Sequence, residues 1–234
     1  NEFKVLDKVL DTRFDGIAYA ELSKDGKYIL AVNSPLLADF GIPNFSASIY
    51  EISSGKEISD LTGVSINISS VKYSPDGKYA MLTSDSTAKI YNSLTGNVSV
   101  NLNGHQDYII SSCFSHDGLK VITGSSDNTA RIFDVLSGKE IGRIDSHYDD
   151  FTSVSFSSDS KKIITVERDD TVRIYQFNEG NYDKIASWYS KWVRKAHLNP
   201  DCTLALTLND FYGTYVYEVA TGDILQHFPE SDGQ

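Results

Sequence analysis

Two short signatures return five times along this chain at an almost constant spacing, and that repetition restricts the fold more than any other feature. The first is a turn: Ser23-Lys24-Asp25-Gly26, Ser74-Pro75-Asp76-Gly77, Ser115-His116-Asp117-Gly118, Ser157-Ser158-Asp159-Ser160 and Asn199-Pro200-Asp201-Cys202. Its aspartates stand 51, 41, 42 and 42 residues apart. The second is an apolar residue, an aromatic and a polar residue: Ile49-Tyr50-Glu51, Ile90-Tyr91-Asn92, Ile132-Phe133-Asp134, Ile174-Tyr175-Gln176 and Val216-Tyr217-Glu218. Those aromatics are 41, 42, 42 and 42 residues apart. Two independent anchors with one period describe stacked units, each covered by its neighbours.

Inside each unit the pattern is β. Val121-Ile122-Thr123, Ala130-Arg131-Ile132-Phe133 and Ser153-Val154-Ser155-Phe156 are short, rich in β-branched and aromatic residues, and bounded by Asp-Gly, Ser-Gly or Thr-Gly turns. Three or four strands per unit cannot bury both faces alone, whereas radial stacking buries them and leaves only short edges. The expected fold class is all-β, a β-propeller of four-stranded antiparallel blades. The expected single domain divides into blade units at about 15–62, 63–103, 104–146, 147–189 and 190–230. Residues Phe3–Leu10 resemble the outer-strand segments Lys139–Ile144 and Asp223–Phe228, so residues 1–14 read as the outer strand of a further blade. That favours part of a six- or seven-bladed ring over a closed ring of five.

With these residues in view the chain resembles the WD40-repeat family over nearly its whole length. The third unit matches best, through Gly104-His105, Phe114-Ser115-His116-Asp117-Gly118, Thr123-Gly124-Ser125-Ser126-Asp127 and Arg131-Ile132-Phe133-Asp134. The family's Trp-Asp ending is here Phe-Asp, and elsewhere Tyr-Glu, Tyr-Asn and Tyr-Gln. The resemblance implies a hydrogen-bonded brace of His105, Thr123 and Asp127 in the third unit, and of His147, Thr165 and Asp169 in the fourth. Phe133 offers no donor for the brace's last link, and Tyr175 offers a different one. Val64 replaces the histidine in the second unit, which predicts a looser blade there.

The chemistry of an enzyme is not visible. No G-x-S-x-G elbow, phosphate loop or H-E-x-x-H motif occurs, and His105 and His147 fall at the brace position. The expectation is therefore a non-enzyme with no catalytic residues, no bound metal and no cofactor. Cys113 and Cys202 form no CxxC pair and read as reduced thiols. A net charge of −11 argues against direct nucleic-acid binding, and no run of about 18 apolar residues suggests a membrane span. Cytoplasm or nucleus is what the family resemblance implies.

In members of this family that bind proteins, the face carrying the inner-strand entries and second turns is often the contact surface. Mapped here, that face holds Tyr108, Ile110, Ser126, Arg168, Trp192 and Arg194. Arg168, Trp192 and Arg194 form a basic-aromatic group in an acidic protein, which points to an acidic or phosphorylated peptide. The competing reading packs Trp192 between blades and pairs both arginines with nearby aspartates. A second candidate is the insertion Pro35–Asn44, where Leu36, Leu37, Phe40 and Ile42 are too apolar for an idle loop tip. The expected function is a protein-protein interaction scaffold that holds a peptide or subunit within a larger assembly. The alternatives are the propeller domain of an enzyme whose catalytic residues lie outside this chain, and a structural piece whose open edges pair with another chain.

Overall fold

The structure is a computed structural model that describes residues 17–33, 46–61, 68–146, 150–178 and 181–229. These form five four-stranded antiparallel sheets, each ordered in space as in sequence. Blade one comprises β1 (Ile17–Leu22), β2 (Tyr28–Asn33), β3 (Ser46–Glu51) and β4 (Glu57–Asp60). Blade two comprises β5 (Ile68–Tyr73), β6 (Tyr79–Ser84), β7 (Thr87–Asn92) and β8 (Val98–Leu102). Blade three follows with β9 (Ile109–Phe114), β10 (Lys120–Ser125), β11 (Thr129–Asp134) and β12 (Glu140–Asp145). Blade four has β13 (Phe151–Phe156), β14 (Lys162–Glu167), β15 (Thr171–Asn178) and β16 (Asn181–Tyr189). Blade five has β17 (Val193–Leu198), β18 (Leu204–Asn209), β19 (Gly213–Glu218) and β20 (Ile224–Phe228). The outer strands β12 and β20 lie one residue later at their starts than the sequence segments suggested.

The two repeated signatures have separate structural duties. In the turn, the Ser23 hydroxyl donates to Asp25 Oδ1 at 2.7 Å and accepts from Tyr28 N at 2.9 Å. Lys27 N donates to the same carboxylate oxygen at 3.1 Å. Blades two, three and four repeat this arrangement through Ser74, Ser115 and Ser157. The residue after the aspartate takes a left-handed backbone, with φ of 69°, 73° and 72° at Gly26, Gly77 and Gly118. Ser160 and Cys202 adopt it without glycine's freedom. Ser160 uses its side chain there, accepting a hydrogen bond from Asp117 N of blade three at 3.1 Å.

The apolar-aromatic signature marks a β-bulge. In all five blades the pairing of third and outer strands shifts register at this point: Ile49/Tyr50, Ile90/Tyr91, Ile132/Phe133, Ile174/Tyr175 and Val216/Tyr217. A bulge bends its strand and increases local twist, which suits the outermost strand of a strongly twisted blade. A second bulge recurs near the entry of every first strand.

Two compact units can be described. The first holds blades one and two, and the second holds blades three, four and five. In the first, Leu30, Val32 and Ile49 of blade one share a core with Val71, Tyr73 and Leu82 of blade two. In the second, Ile122 and Ile132 pack with Phe151, Val154 and Phe156, and Ile164 and Val172 pack with Val193, Ala196 and Tyr217. Strands β10 and β14 are covered on both faces and carry apolar or small residues in nearly continuous runs. Strand β18 instead alternates, leaving Leu206 and Leu208 accessible where Ile164 and Val166 are buried one blade earlier.

Candidate face of the second unit

Three equivalent backbone bonds build this face. Ser126 N donates to Tyr108 O, Arg168 N to Asp150 O and Asp210 N to Trp192 O, each at 2.9 Å. Every one ties the entry of a first strand to the turn between the second and third strands. The first-strand bulge then extrudes one residue beside that tie: Ile110 in blade three, Thr152 in blade four and Arg194 in blade five. Such a bulge re-aims a side chain without interrupting the sheet. The six expected contact residues of this unit therefore stand on one repeating frame, and Tyr108, Ile110, Trp192 and Arg194 are exposed. Leu36, Leu37, Phe40 and the whole insertion Pro35–Asn44 lie outside the described residues.

The arginines and the tryptophan part company. Arg168 Nη2 stands 3.5 Å from Asp150 Oδ2, and Arg194 Nε donates to Asp210 Oδ2. Both guanidinium groups thus have a carboxylate partner, and the face offers less unpaired positive charge than the sequence suggests. Trp192 is not packed between blades: it is 51% exposed and sits at φ 58°. Phe211, at the tip of the turn tied to Trp192, is 78% exposed at φ 63°. A bulky side chain in this region is held against a penalty of about 1–2 kcal/mol. Blade five pins the Trp192 turn with Val193 N donating to Ser190 O at 3.1 Å. Nearby, Lys191 Nζ donates to Tyr212 Oη at 2.9 Å, and Tyr189 is exposed. Sequence reading missed Phe211, Tyr212 and Tyr189, although aligning the second turns would have shown Phe211-Tyr212 where blades three and four carry Asp127-Asn128 and Asp169-Asp170.

Beneath this face each blade secures its turn differently. In blade three His105 Nδ1 donates to Asp127 Oδ2 at 2.9 Å, and Thr123 Oγ1 donates to His105 Nε2 at 2.8 Å. Asp127 also receives Gln106 N at 2.9 Å and Thr129 Oγ1 at 2.6 Å. Burial works to raise the Asp127 pKa, but these donors together pull it down to about 2. Burial lowers the His105 pKa despite the aspartate, so the ring is neutral, as its acceptor role toward Thr123 requires.

In blade four His147 lies outside the described residues, and Thr165 Oγ1 has no hydrogen-bond partner among those described. Asp169 accepts from Thr171 N at 2.9 Å and lies 3.4 Å from Arg173 Nη2. Arg173 also meets Glu167 at 2.6 Å, with both side chains almost wholly buried. Ser146 Oγ donates to Glu167 Oε2 at 2.5 Å. Blade five uses neither device. There Tyr217 Oη donates to Ser190 Oγ at 2.9 Å, Asn209 Nδ2 to the same oxygen at 2.8 Å, and Thr207 Oγ1 to Asn209 Oδ1 at 2.7 Å. His227 is exposed, stacks on Tyr215 at 4.2 Å and bonds Tyr212 O at 2.7 Å.

Because the folded protein keeps His105 neutral while an unfolded histidine takes up a proton near pH 6.5, acid favours the unfolded chain. Unfolding free energy measured by urea titration should therefore fall between pH 7.5 and 5.5. His105→Gln should start about 1–2 kcal/mol lower at pH 7.5 yet lose less over the same interval. Equal losses in both proteins would exclude His105 as the source.

Among the described residues no group of three His, Cys, Asp or Glu side chains is placed to hold a metal ion. Cys202 is buried, Cys113 is half-buried, and neither is in a disulfide.

The model of the WD domain, G-beta repeat, matches residues 55–92, 96–134 and 138–176. Each match starts just before an outer strand and ends with the third strand of the next blade, so the sequence repeat is offset from the sheet. No curated protein sequence matches the chain. Among solved structures, the computationally designed Ika8 protein superimposes with a TM-score of 0.74 at 19% identity, over 91% of this chain. The chain spans 61% of the length of that designed protein. Three repeat matches and five four-stranded blades with shared turn and bulge positions lead to one assignment: the chain belongs to the WD40-repeat β-propeller family.

Proposed function

We propose that this chain is a non-catalytic scaffold whose second unit grips a protein partner, within a larger assembly, through the aromatic end of blade five. WD40 repeats generally mediate protein-protein interaction, and that general role is the frame for the finer reading. The observation that carries it is the pair Trp192 and Phe211, both exposed and both in left-handed backbone. Holding two large apolar side chains in a costly conformation at the surface has no benefit to the core. Exposed tryptophan is also the residue type most enriched among contacts that dominate binding energy. Tyr108 and Ile110 extend the apolar contact across to blade three, and the paired arginines serve as a polar rim.

The test is affinity capture from native lysate with wild type, Trp192→Ala/Phe211→Ala and Arg168→Ala/Arg194→Ala. The aromatic double variant should lose its main partners by about 30-fold or more, with an unchanged unfolding midpoint. The arginine variant should lose only a few-fold, because each guanidinium already spends its charge on an aspartate. Identical partner lists from wild type and the aromatic variant would refute the assignment of this face.

A further inference from the structure

The cations at the ends of blades four and five already have partners. Arg168 meets Asp150, Arg194 meets Asp210, and the buried Arg173 meets Glu167 and Asp169. Lys191 Nζ donates to Tyr212 Oη at 2.9 Å and stands 4.9 Å from the centre of that ring. A carboxylate is left over at the tip of the turn between β14 and β15. Asp170 is partly exposed there and has no cation within ion-pair distance among the described residues, although it lies in the field of Lys191.

Asp170 is joined to an aromatic ring. Ser190 N donates to Asp170 O at 2.8 Å, which brings the end of β16 against the turn. Tyr189 Oη then reaches Asp170 Oδ2 at 3.5 Å, while its side chain stays 63% exposed. The hydroxyl is thus held beside the carboxylate and the ring still meets solvent. The repeat requires neither residue. Thr171 pairs with Tyr189 in blade four, whereas its counterpart Thr129 pairs with Asp145 in blade three. The turn tip of blade three is Asn128, in the same left-handed backbone as Asp170, φ 63° against 62°. The turn therefore forms without the carboxylate, and the outer strand ends without the ring.

An exposed ring beside an uncompensated carboxylate has a specific chemical complement. The face of the ring attracts a cation, and the carboxylate accepts two parallel N–H bonds from a guanidinium. Arginine is planar and can make both contacts at once, whereas the lysine ammonium is a compact point charge. Lys191 over Tyr212 shows that this end of blade five already seats a cation on a ring.

We propose that Tyr189 and Asp170 form a subsite for an arginine side chain of the protein partner, the guanidinium lying on the Tyr189 ring and forking onto the Asp170 carboxylate. The subsite rests on the reading of the aromatic end of blade five as the gripping face. Trp192 and Phe211 take apolar residues of the bound segment, and the Asp170 charge fixes its register. The segment is then basic, the reverse of the acidic or phosphorylated peptide that Arg168 and Arg194 suggest in sequence.

The experiment uses the full chain with isotope-labelled backbone amides, titrated with acetyl-Gly-Arg-Gly-amide, acetyl-Gly-Lys-Gly-amide and acetyl-Gly-Glu-Gly-amide. Saturable shifts at the Asp170, Tyr189 and Ser190 amides with a millimolar Kd are expected for the arginine peptide. The lysine peptide should bind about threefold more weakly or worse, and the glutamate peptide not at all. Asp170→Asn should weaken arginine binding about fivefold and Tyr189→Leu about threefold, while the remaining amide spectrum reports an intact fold. Asp223→Asn, in the turn at the other end of blade five, should leave it unchanged. No saturable shifts, equal affinity for the arginine and lysine peptides, or full affinity in Asp170→Asn would overturn the proposal. The two readings fail separately. If Trp192→Ala/Phe211→Ala loses its partners in lysate while the arginine peptide does not bind, the face stands and the arginine subsite falls. If that variant keeps every partner, the face falls and the subsite with it.

Discussion

Replacing Arg173 with methionine is expected to lower the unfolding free energy by about 3–5 kcal/mol, a large share of the stability of a domain this size. Arg173 and Glu167 face each other at 2.6 Å with side chains 6% and 0% exposed. Their neighbours along β14 and β15, Val166 and Val172, are core residues. Methionine covers a similar volume, so packing changes little. It removes the guanidinium from beside a carboxylate that stays inside the blade, however, and the desolvation of that charge is less fully offset. The second half of the prediction separates the charge from the packing. Glu167→Ser/Arg173→Met, which installs the serine that blade three carries at the same column, should recover most of the loss. Urea unfolding of the two variants and wild type decides it. A loss below about 1 kcal/mol in Arg173→Met would show that water reaches the pair.

A comparably large effect is expected at Gly96, and Gly26 is its control. Both glycines lie in the first unit with nearly the same backbone, φ 70° and 69°. Alanine at either position meets the left-handed penalty of about 1 kcal/mol. At Gly26 a Cβ would enter open space, so Gly26→Ala should stop there. At Gly96 the Cβ would lie 2.2 Å from the backbone oxygen of Asp60 at the end of β4. A backbone atom cannot swing aside as a side chain does, so blade one and blade two must move apart. That separation also strains the Ser59–Ser93 hydrogen bond. Gly96→Ala should therefore lose about 3 kcal/mol or more, adding overpacking to strain. Thermal unfolding of the two variants should show a small shift for Gly26→Ala and a large one for Gly96→Ala. Equal shifts would mean that the blades do not meet here.

What could be read in the residues depended on whether a position repeats. The serine-aspartate-glycine turn recurs because its hydrogen bonds are local, closing within five residues whatever surrounds them. The aromatic after each third-strand apolar residue recurs because every outer strand bulges there. The His105, Thr123 and Asp127 geometry of blade three could be anticipated from the family because that blade keeps the family's residue types. Blades four and five could not, since they solve the same problem with unlike residues: the column holding Ser125 becomes Glu167 and then Asn209. The site was harder still. For Arg168 and Arg194 the sequence left a free basic group and pairing with nearby aspartates both open, because the partners Asp150 and Asp210 stand 18 and 16 residues away and meet them only through folding. Phe211 was overlooked because turn tips are expected to be polar, and its left-handed backbone leaves no mark in composition.

The buried charge of blade four has a consequence for heredity. Blade three has an arginine at the matching column, Arg131, but pairs it with Glu140 on its outer strand at 2.7 Å. In blade four the residue opposite the bulge aromatic is Lys184 where blade three has Glu140, and the carboxylate has moved to Glu167. The cation stays put while its counter-charge migrates from one strand to another. Genes of repeat proteins grow and shrink by copying whole repeats, and the matched windows 96–134 and 138–176 are natural pieces for such copying. The first window carries Arg131 away from Glu140, whereas the second carries Glu167 and Arg173 together. Only the later piece would arrive in a new location with a buried ion pair intact, and it would bring Glu140 without Arg131 at its outer edge.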